Sequence, residues 1–256
     1  MKLEVRNGSF SYTKNESILK DISFTLNQGE IMTILGRNGI GKTTLLKCVI
    51  GLLEWQKGQT FIDEKPFSSL IDCKSIAYVP QAHKTVFSFT VSEMTAMGRA
   101  RHVPIFGVPS KTDREKVIRA LEIVGISHLK ERLCSELSGG QLQLVYIARA
   151  LVNDPELIIM DEPESHLDFS NQHMILKLIR KLKEEKGISF IINTHYPDHA
   201  LNISDYTLIL GEDSYIHGKS EKVITEENIR KFFNVDVRIL SLPGIEEEIK
   251  TFAVLG

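Results

Sequence analysis

Cysteine is scarce in this sequence. Cys48, Cys73 and Cys134 are three widely spaced residues among 256, which excludes a CxxC metal pattern and leaves disulfides a poor account of the fold. No apolar stretch approaches the roughly 20 residues that cross a bilayer; the longest surrounds Cys48–Leu53. The opening residues, Met1-Lys2-Leu3-Glu4-Val5-Arg6, alternate as a strand does and lack the apolar centre of a signal peptide. Charge of one sign is not in excess either: 31 Lys and Arg stand against 33 Asp and Glu, interspersed, for a net charge of −2. The broad electropositive face that nucleic acid requires is therefore not expected, and no nucleic-acid partner is. Internal repeats, low-complexity tracts and long charge runs are missing. These absences leave an ordinary globular chain, expected in the cytoplasm, whose 42% apolar residues can build one large domain or two modest ones. Cys48, on the apolar side of a predicted helix, is expected in the core.

What is present begins at Gly36. Residues 36 to 43 read Gly-Arg-Asn-Gly-Ile-Gly-Lys-Thr, a match to G-x-x-x-x-G-K-[ST]. The apolar run Ile31 to Leu35 precedes it, and a helix is predicted from Lys42 to Val49. A triphosphate is best held by backbone N–H groups converging at a helix N-terminus, where a Cβ would prevent close approach; hence Gly36, Gly39 and Gly41. Arg37, Asn38, Ile40 and Thr44 complete the expected phosphate loop. Lys42 reaches the β- and γ-phosphates, and the Thr43 hydroxyl can ligate Mg2+. The pattern predicts a nucleoside triphosphate ligand.

Around this loop the chain changes character twice. Strand-like runs over Leu3 to Arg6, Ser9 to Tyr12, Ile22 to Leu26 and Ile31 to Leu35 are broken at Asn7-Gly8, Lys14-Asn15 and Asn27-Gln28-Gly29, suggesting an antiparallel β region. Gln59 to Asp63 and Ser75 to Val79 are again strand-like. From Val91 to Val152 the spacing is helical, with Val117, Ile118, Leu121 and Val124 on one face and Val145, Ala148 and Leu151 on another. Strand and helix then alternate: Leu157 to Met160, a helix over Gln172 to Lys186 with Ile175, Leu178, Ile179 and Leu182 inward, Ile188 to Asn193, and Tyr206 to Leu210. The expected fold is α/β, with a mixed or parallel sheet and the triphosphate at the strands' C-terminal ends. Residues 1–81 and 153–256 form the expected nucleotide-binding core, and a helical subdomain over about 82–152 is inserted between them.

Leu157-Ile158-Ile159-Met160-Asp161-Glu162 is an apolar strand ending in two acids. Asp161 is the expected Mg2+ partner, and Glu162 is placed to polarise an attacking water, the step that makes a hydrolase of a nucleotide binder. Leu137-Ser138-Gly139-Gly140-Gln141 precedes an amphipathic helix, so its hydroxyl and glycine N–H groups offer a second anion-binding helix start. This pentapeptide resembles the signature motif of the ATP-binding-cassette (ABC) ATPases. The family's other elements occur in order over essentially the whole chain. Tyr12 resembles the aromatic that stacks on adenine. Gln81, in Tyr78-Val79-Pro80-Gln81, resembles the Q-loop glutamine, which also helps to organise the metal. Ser165-His166-Leu167-Asp168 resembles the D-loop, and His195, in Asn193-Thr194-His195, the switch histidine. His83, His128, His173 and His217 have no partner pattern and are expected as surface or packing residues.

Between the glutamine and the signature, Thr90 to His102 and Val117 to Gly125 are similar to the importers of metal chelates: ferric siderophores, haem, cobalamin and, in some members, molybdate. Val223 to Val237 has the same character. The resemblance implies an ATPase, with ATP and Mg2+ as ligands, that powers import from the cytoplasmic face of the cell membrane. Its partners would be a second copy in a homodimer, a separate polytopic permease and, indirectly, a periplasmic or extracellular substrate-binding protein. Each ATP would lie between the Lys42 loop of one copy and Ser138-Gly139-Gly140-Gln141, with Asp168, of the other; Glu162, His195, Gln81 and Lys42 would act in hydrolysis. The same catalytic motifs serve exporters and other importers. Soluble members acting on nucleic acid or ribosomes carry tandem cassettes or a long coiled-coil insertion, which this sequence lacks. Three departures stand out. Leu142 and Leu144 replace basic or amide residues after the signature, Glu164 adds a third acid where the family has a small or hydroxyl residue, and Ile40 is bulkier than usual though only its backbone is needed.

Overall fold

The computed structural model describes residues 1–13, 16–70, 73–81, 88–102, 107–243 and 249–255. The chain divides into two compact units, Met1–Asp72 with Ser189–Gly256, and Cys73–Ile188. The break expected at Lys14-Asn15, and His83, lie outside the described residues.

The first unit opens with two long antiparallel strands, β1 (Leu3–Thr13) and β2 (Glu16–Leu26). Asn7-Gly8, expected to break the strand, lies inside β1 at a register shift. Asn7 adopts a φ of 54°; its backbone N–H donates to Ser23 Oγ at 2.9 Å and its Nδ2 to Asp21 Oδ1 at 2.8 Å. The side chain thus supports a bulge that bends the strand without ending it. Next come β3 (Ile31–Leu35), buried at every residue, and α1 (Lys42–Val49), with Cys48 in the core. The strands β4 (Lys57–Ile62) and β5 (Lys65–Phe67) extend the first sheet in the order β2-β1-β4-β5.

The second unit comprises β6 (Ile76–Val79), α2 (Val91–Ala96), a 3-10 segment (Met97–His102), α3 (Lys111–Ile123), α4 (Gly139–Leu151), β7 (Leu157–Asp161) and α5 (Phe169–Lys186). β6 and β7 pair in parallel, with Tyr78 opposite Ile159 and Val79 opposite Met160. Helices α2, α3 and α4 each start with a reciprocal cap, Thr90 with Glu93, Ser110 with Asp113 and Ser138 with Gln141, which satisfies two otherwise orphaned N–H groups per helix. Arg99 Nε donates to Asp113 Oδ1 at 2.8 Å and Arg99 Nη1 to Asn153 Oδ1 at 2.9 Å, tying the 3-10 segment to α3 and to the end of α4. Hydrogen bonds from the Ser110 hydroxyl and the Arg99 guanidinium hold the Asp113 carboxyl down at about 2. The buried stripe of α3 and its end is Val117, Ala120, Leu121 and Val124, whereas Ile118, expected on that face, is 45% exposed. In α4, Val145, Ala148 and Leu151 are buried as expected, and so are Leu142 and Leu144; the two departures after the signature are core residues. Ile175, Leu178, Ile179 and Leu182 of α5 point inward.

The chain returns to the first unit with β8 (Ser189–Asn193), α6 (Pro197–Ile203), β9 (Tyr206–Leu210), β10 (Tyr215–Lys219), α7 (Ser220–Val223), α8 (Glu226–Phe233), β11 (Val237–Leu242) and β12 (Ile249–Val254). β3 lies between β8 and β9 and parallel to both, while β10 is antiparallel to β9, so the sheet is mixed. β11 and β12 form a hairpin, and Val237 and Phe252 join α8 residues Ile229 and Phe232 in a cluster with Leu35 and Ile209. Among the described residues no helix is long and apolar enough to cross a membrane.

Candidate functional site

In the first unit, the loop from β3 to α1 is shaped for an anion. Gly36 has a φ of 149°, and a Cβ there would lie 2.7 Å from the Leu210 carbonyl oxygen at the end of β9, so only glycine fits. Helix α1 begins with no acidic residue in its first turn and no side-chain cap. The positive end of its dipole therefore faces the loop without a counter-charge from its own first turn. The Lys42 ammonium, on a side chain only 5% exposed, donates to the carbonyls of Gly36 at 2.9 Å and Arg37 at 3.2 Å. Tyr12 is 59% exposed, packs edge-on against Phe10 at 4.9 Å, and its hydroxyl lies 3.3 Å from the Thr44 hydroxyl. An accessible aromatic ring is thus fixed beside the first turn of α1. His195 follows β8 in the same unit, its ring 4.4 Å from that of Tyr196.

In the second unit, β7 delivers its two acids as the sequence predicts. Asp161 is 6% exposed, and the Tyr78 phenol on the neighbouring β6 donates to its Oδ2 at 3.3 Å. Burial, reinforced by the charge of Asp161 and that hydrogen bond, raises the Tyr78 pKa, so the phenol remains a donor. Glu162 leaves the strand with a φ of 48°. Its Oε2 accepts from Ser165 Oγ at 2.8 Å and from Gln81 Nε2 at 3.5 Å, and its carbonyl accepts from Ser165 N at 3.1 Å. Gln81 and Glu162, far apart in sequence, therefore meet. Glu164 is buried.

The signature stretch stands at the start of α4. Ser138 Oγ accepts from Gln141 N at 3.3 Å, while Gln141 Oε1 accepts from Ser138 N at 3.1 Å. Ser138 and Gly139 are exposed. Gly140 is buried, and a Cβ on it would lie 2.3 Å from Asn171 Oδ1. Asn171 in turn donates through its backbone and its side chain to the Asp168 carboxylate, both at 2.8 Å, so Asp168 caps α5. The start of α4 and the start of α5 thus form one local arrangement.

The predicted residues fall into two sets: Tyr12, the loop Gly36–Thr44 and His195 in the first unit, and Gln81, Asp161, Glu162, Ser138–Gln141 and Asp168 in the second. The bonds of Tyr78 and Ser165 went unread, although both residues lie in motifs the sequence displays. The parallel register of β6 with β7 and the three-residue turn after Glu162 are the signals that would have found them. The ring contacts of Tyr196 had no signal in sequence spacing.

Comparison with known proteins agrees with this geometry. The family described as "ABC transporter" matches residues 19–165. The molybdate import ATP-binding protein MolC of Haemophilus influenzae is 33% identical over 234 residues, covering 91% of this chain and 88% of that protein. The iron(3+)-hydroxamate import ATP-binding protein FhuC of Bacillus subtilis is 32% identical over 236 residues, with the same two coverages. Among solved structures, a protein described as a metal-chelate type ABC transporter in an inward-facing conformation superposes with a TM-score of 0.90 at 31% identity, over 99% of this chain and 97% of that one. The ADP conformation of MJ1267, an ATP-binding cassette of an ABC transporter, gives 0.82 at 28% identity, over 91% of this chain and 98% of that one. With the phosphate loop, the paired acids and the capped signature helix all in place, the chain belongs to the ATP-binding, ATP-hydrolysing proteins of the ABC transporter family.

Proposed function

We propose that this chain is the ATPase subunit of an importer of metal chelates, working as a homodimer on the cytoplasmic face of the membrane against a separate permease that receives its cargo from a substrate-binding protein. The observation that carries this reading is the likeness, along nearly the whole chain, to a metal-chelate type transporter. A molybdate importer among the relatives supports a second cargo, the oxyanion.

In this reading the loop amides of Gly36 to Thr44 and the Lys42 ammonium neutralise the phosphates, and Tyr12 stacks on adenine. Thr43, Asp161 and Gln81 would hold Mg2+; a hydroxyl, a carboxylate and an amide are hard oxygen donors that suit this ion, which usually keeps phosphate and water among its ligands. Bound there, Mg2+ would supply positive charge against that of the phosphates. Glu162, steadied by Ser165 and Gln81, polarises the attacking water, and His195 contacts the γ-phosphate. Ser138-Gly139-Gly140-Gln141 and Asp168 serve the ATP of the partner copy.

The test replaces the chromosomal gene with the Glu162→Gln form and measures uptake of 55Fe-hydroxamate, 55Fe-haem, labelled cobalamin and 99Mo-molybdate. Loss of one chelate uptake supports the proposal. Loss of molybdate uptake alone assigns the oxyanion, and undiminished uptake of all four refutes both readings.

A further inference from the structure

Three rings touch in series after β8. The centroids of His195 and Tyr196 are 4.4 Å apart with planes inclined by 35°, and those of Tyr196 and His199 are 4.7 Å apart at 32°. The backbone carrying them is fixed on both sides. Buried Thr194 donates its N–H to the Ile34 carbonyl at 3.1 Å, and its Oγ1 accepts from Tyr196 N at 3.1 Å. The Tyr196 carbonyl then accepts from Ala200 N at 3.1 Å, and Pro197 fills the first turn of α6. His199 rides on that same turn, beside the fully buried Ala200. Tyr196 is therefore anchored through its backbone, and His199 through the helix.

An imidazole turns about two soft side-chain torsions, and burial alone, only partial at His195, does not select one rotamer. Presenting one nitrogen to a phosphate oxygen needs a single orientation, and tilted ring contacts at these distances restrict the imidazole plane. We infer that Tyr196 and His199 are positioning residues for His195, their rings holding its imidazole in the orientation from which it meets the γ-phosphate. This rests on the assignment of His195 to that contact. The requirement at Tyr196 is for a flat ring, not for a hydroxyl.

The experiment uses the full chain with Tyr196→Leu, Tyr196→Phe, His199→Leu and His195→Ala, each checked by thermal melting. Relaxation of the 13C-labelled His195 ring in the nucleotide-free protein reads its order directly, and ATP turnover in the assembled transporter reads the consequence. Tyr196→Leu should lower the His195 ring order and reduce kcat about tenfold with the KM for ATP unchanged, as for an interaction made only in the transition state. Tyr196→Phe should restore both, and His199→Leu should fall between. Wild-type ring order or turnover in Tyr196→Leu overturns the inference, as does failure of Tyr196→Phe to restore them. If His195→Ala turns over normally, the assignment of His195 fails and the inference with it; if His195→Ala is impaired while Tyr196→Leu is not, the positioning role alone fails.

Discussion

Ser165→Ala removes one oxygen from the setting of Glu162. In the native chain the serine hydroxyl donates to Glu162 Oε2 at 2.8 Å, while Gln81 Nε2 stands at 3.5 Å, the outer limit of a hydrogen bond. The serine is thus the stronger of these two side-chain restraints. A hydrogen bond to a charged group contributes about 1.5–3 kcal/mol. Glu162 and Ser165 are only partly buried, and solvent screening reduces the figure to about 1 kcal/mol. Felt wholly in the transition state, that is about a fivefold loss of kcat. The KM for ATP should not change if, as proposed, the lost bond orients the carboxylate that polarises the water. Ser165→Thr keeps the hydroxyl and should stay within about twofold of the wild type. The assay is steady-state phosphate release across a wide range of ATP, with equilibrium nucleotide binding alongside. A wild-type kcat in Ser165→Ala, or a loss expressed as a raised KM, would refute the argument.

Glu162→Gln keeps the shape of the side chain but not its basicity, so turnover should fall by about 10²–10⁴ while equilibrium titration finds nucleotide affinity retained; steady-state hydrolysis at the wild-type rate would remove Glu162 from the mechanism. Asp113→Asn should lower the melting temperature at neutral pH. Asp113 is held at about 2 against an ordinary 3.8, so its stabilisation is complete above the ordinary value and is lost as pH falls through about 2. Melting curves of the two proteins should therefore converge over that acidic window and nowhere else. If each ATP is shared between two copies, mixing Lys42→Ala with Ser138→Arg should restore ATPase activity that neither variant has alone, measured in the assembled transporter; a mixture as inactive as its components, with mixed assembly demonstrated, counts against the shared site.

The sequence was most legible where burial is complete. β3, β7 and β8 are buried at every residue, and their mostly apolar runs leave few alternatives to an interior strand. The inward face of α5 was equally plain, since its 3.6-residue spacing runs through four buried positions. Asn7-Gly8 misled because turn-forming residues also make bulges, and only the bonds to Ser23 and Asp21 distinguish the two. Ile118 misled because it adjoins Val117 in sequence but lies about 100° further round the helix. The hairpin β11–β12 escaped because Leu240, Leu242 and Ile249 are about half exposed and blur the alternation. At the candidate site, motif spacing indicated the groups assigned by the proposal to phosphate, metal and water, but gave no sign of the side chains that steady them. Tyr78 reaches Asp161 through strand pairing, and Tyr196 meets its neighbours through ring contact, neither of which has a fixed distance along the chain.

The cap on α4 gives Ser138 a double use. Its oxygen lone pair is engaged by Gln141 N at 3.3 Å, whereas its single hydrogen is a donor that the cap does not consume. The bond that starts the helix also fixes where Oγ stands, at an exposed position, so in the proposed contact with a partner copy's phosphate only the rotation of the O–H would remain to be settled. Alanine would remove the donor and loosen the helix start together, while threonine could keep both, so folding and the proposed recognition would act on the same atom and constrain the residue type jointly.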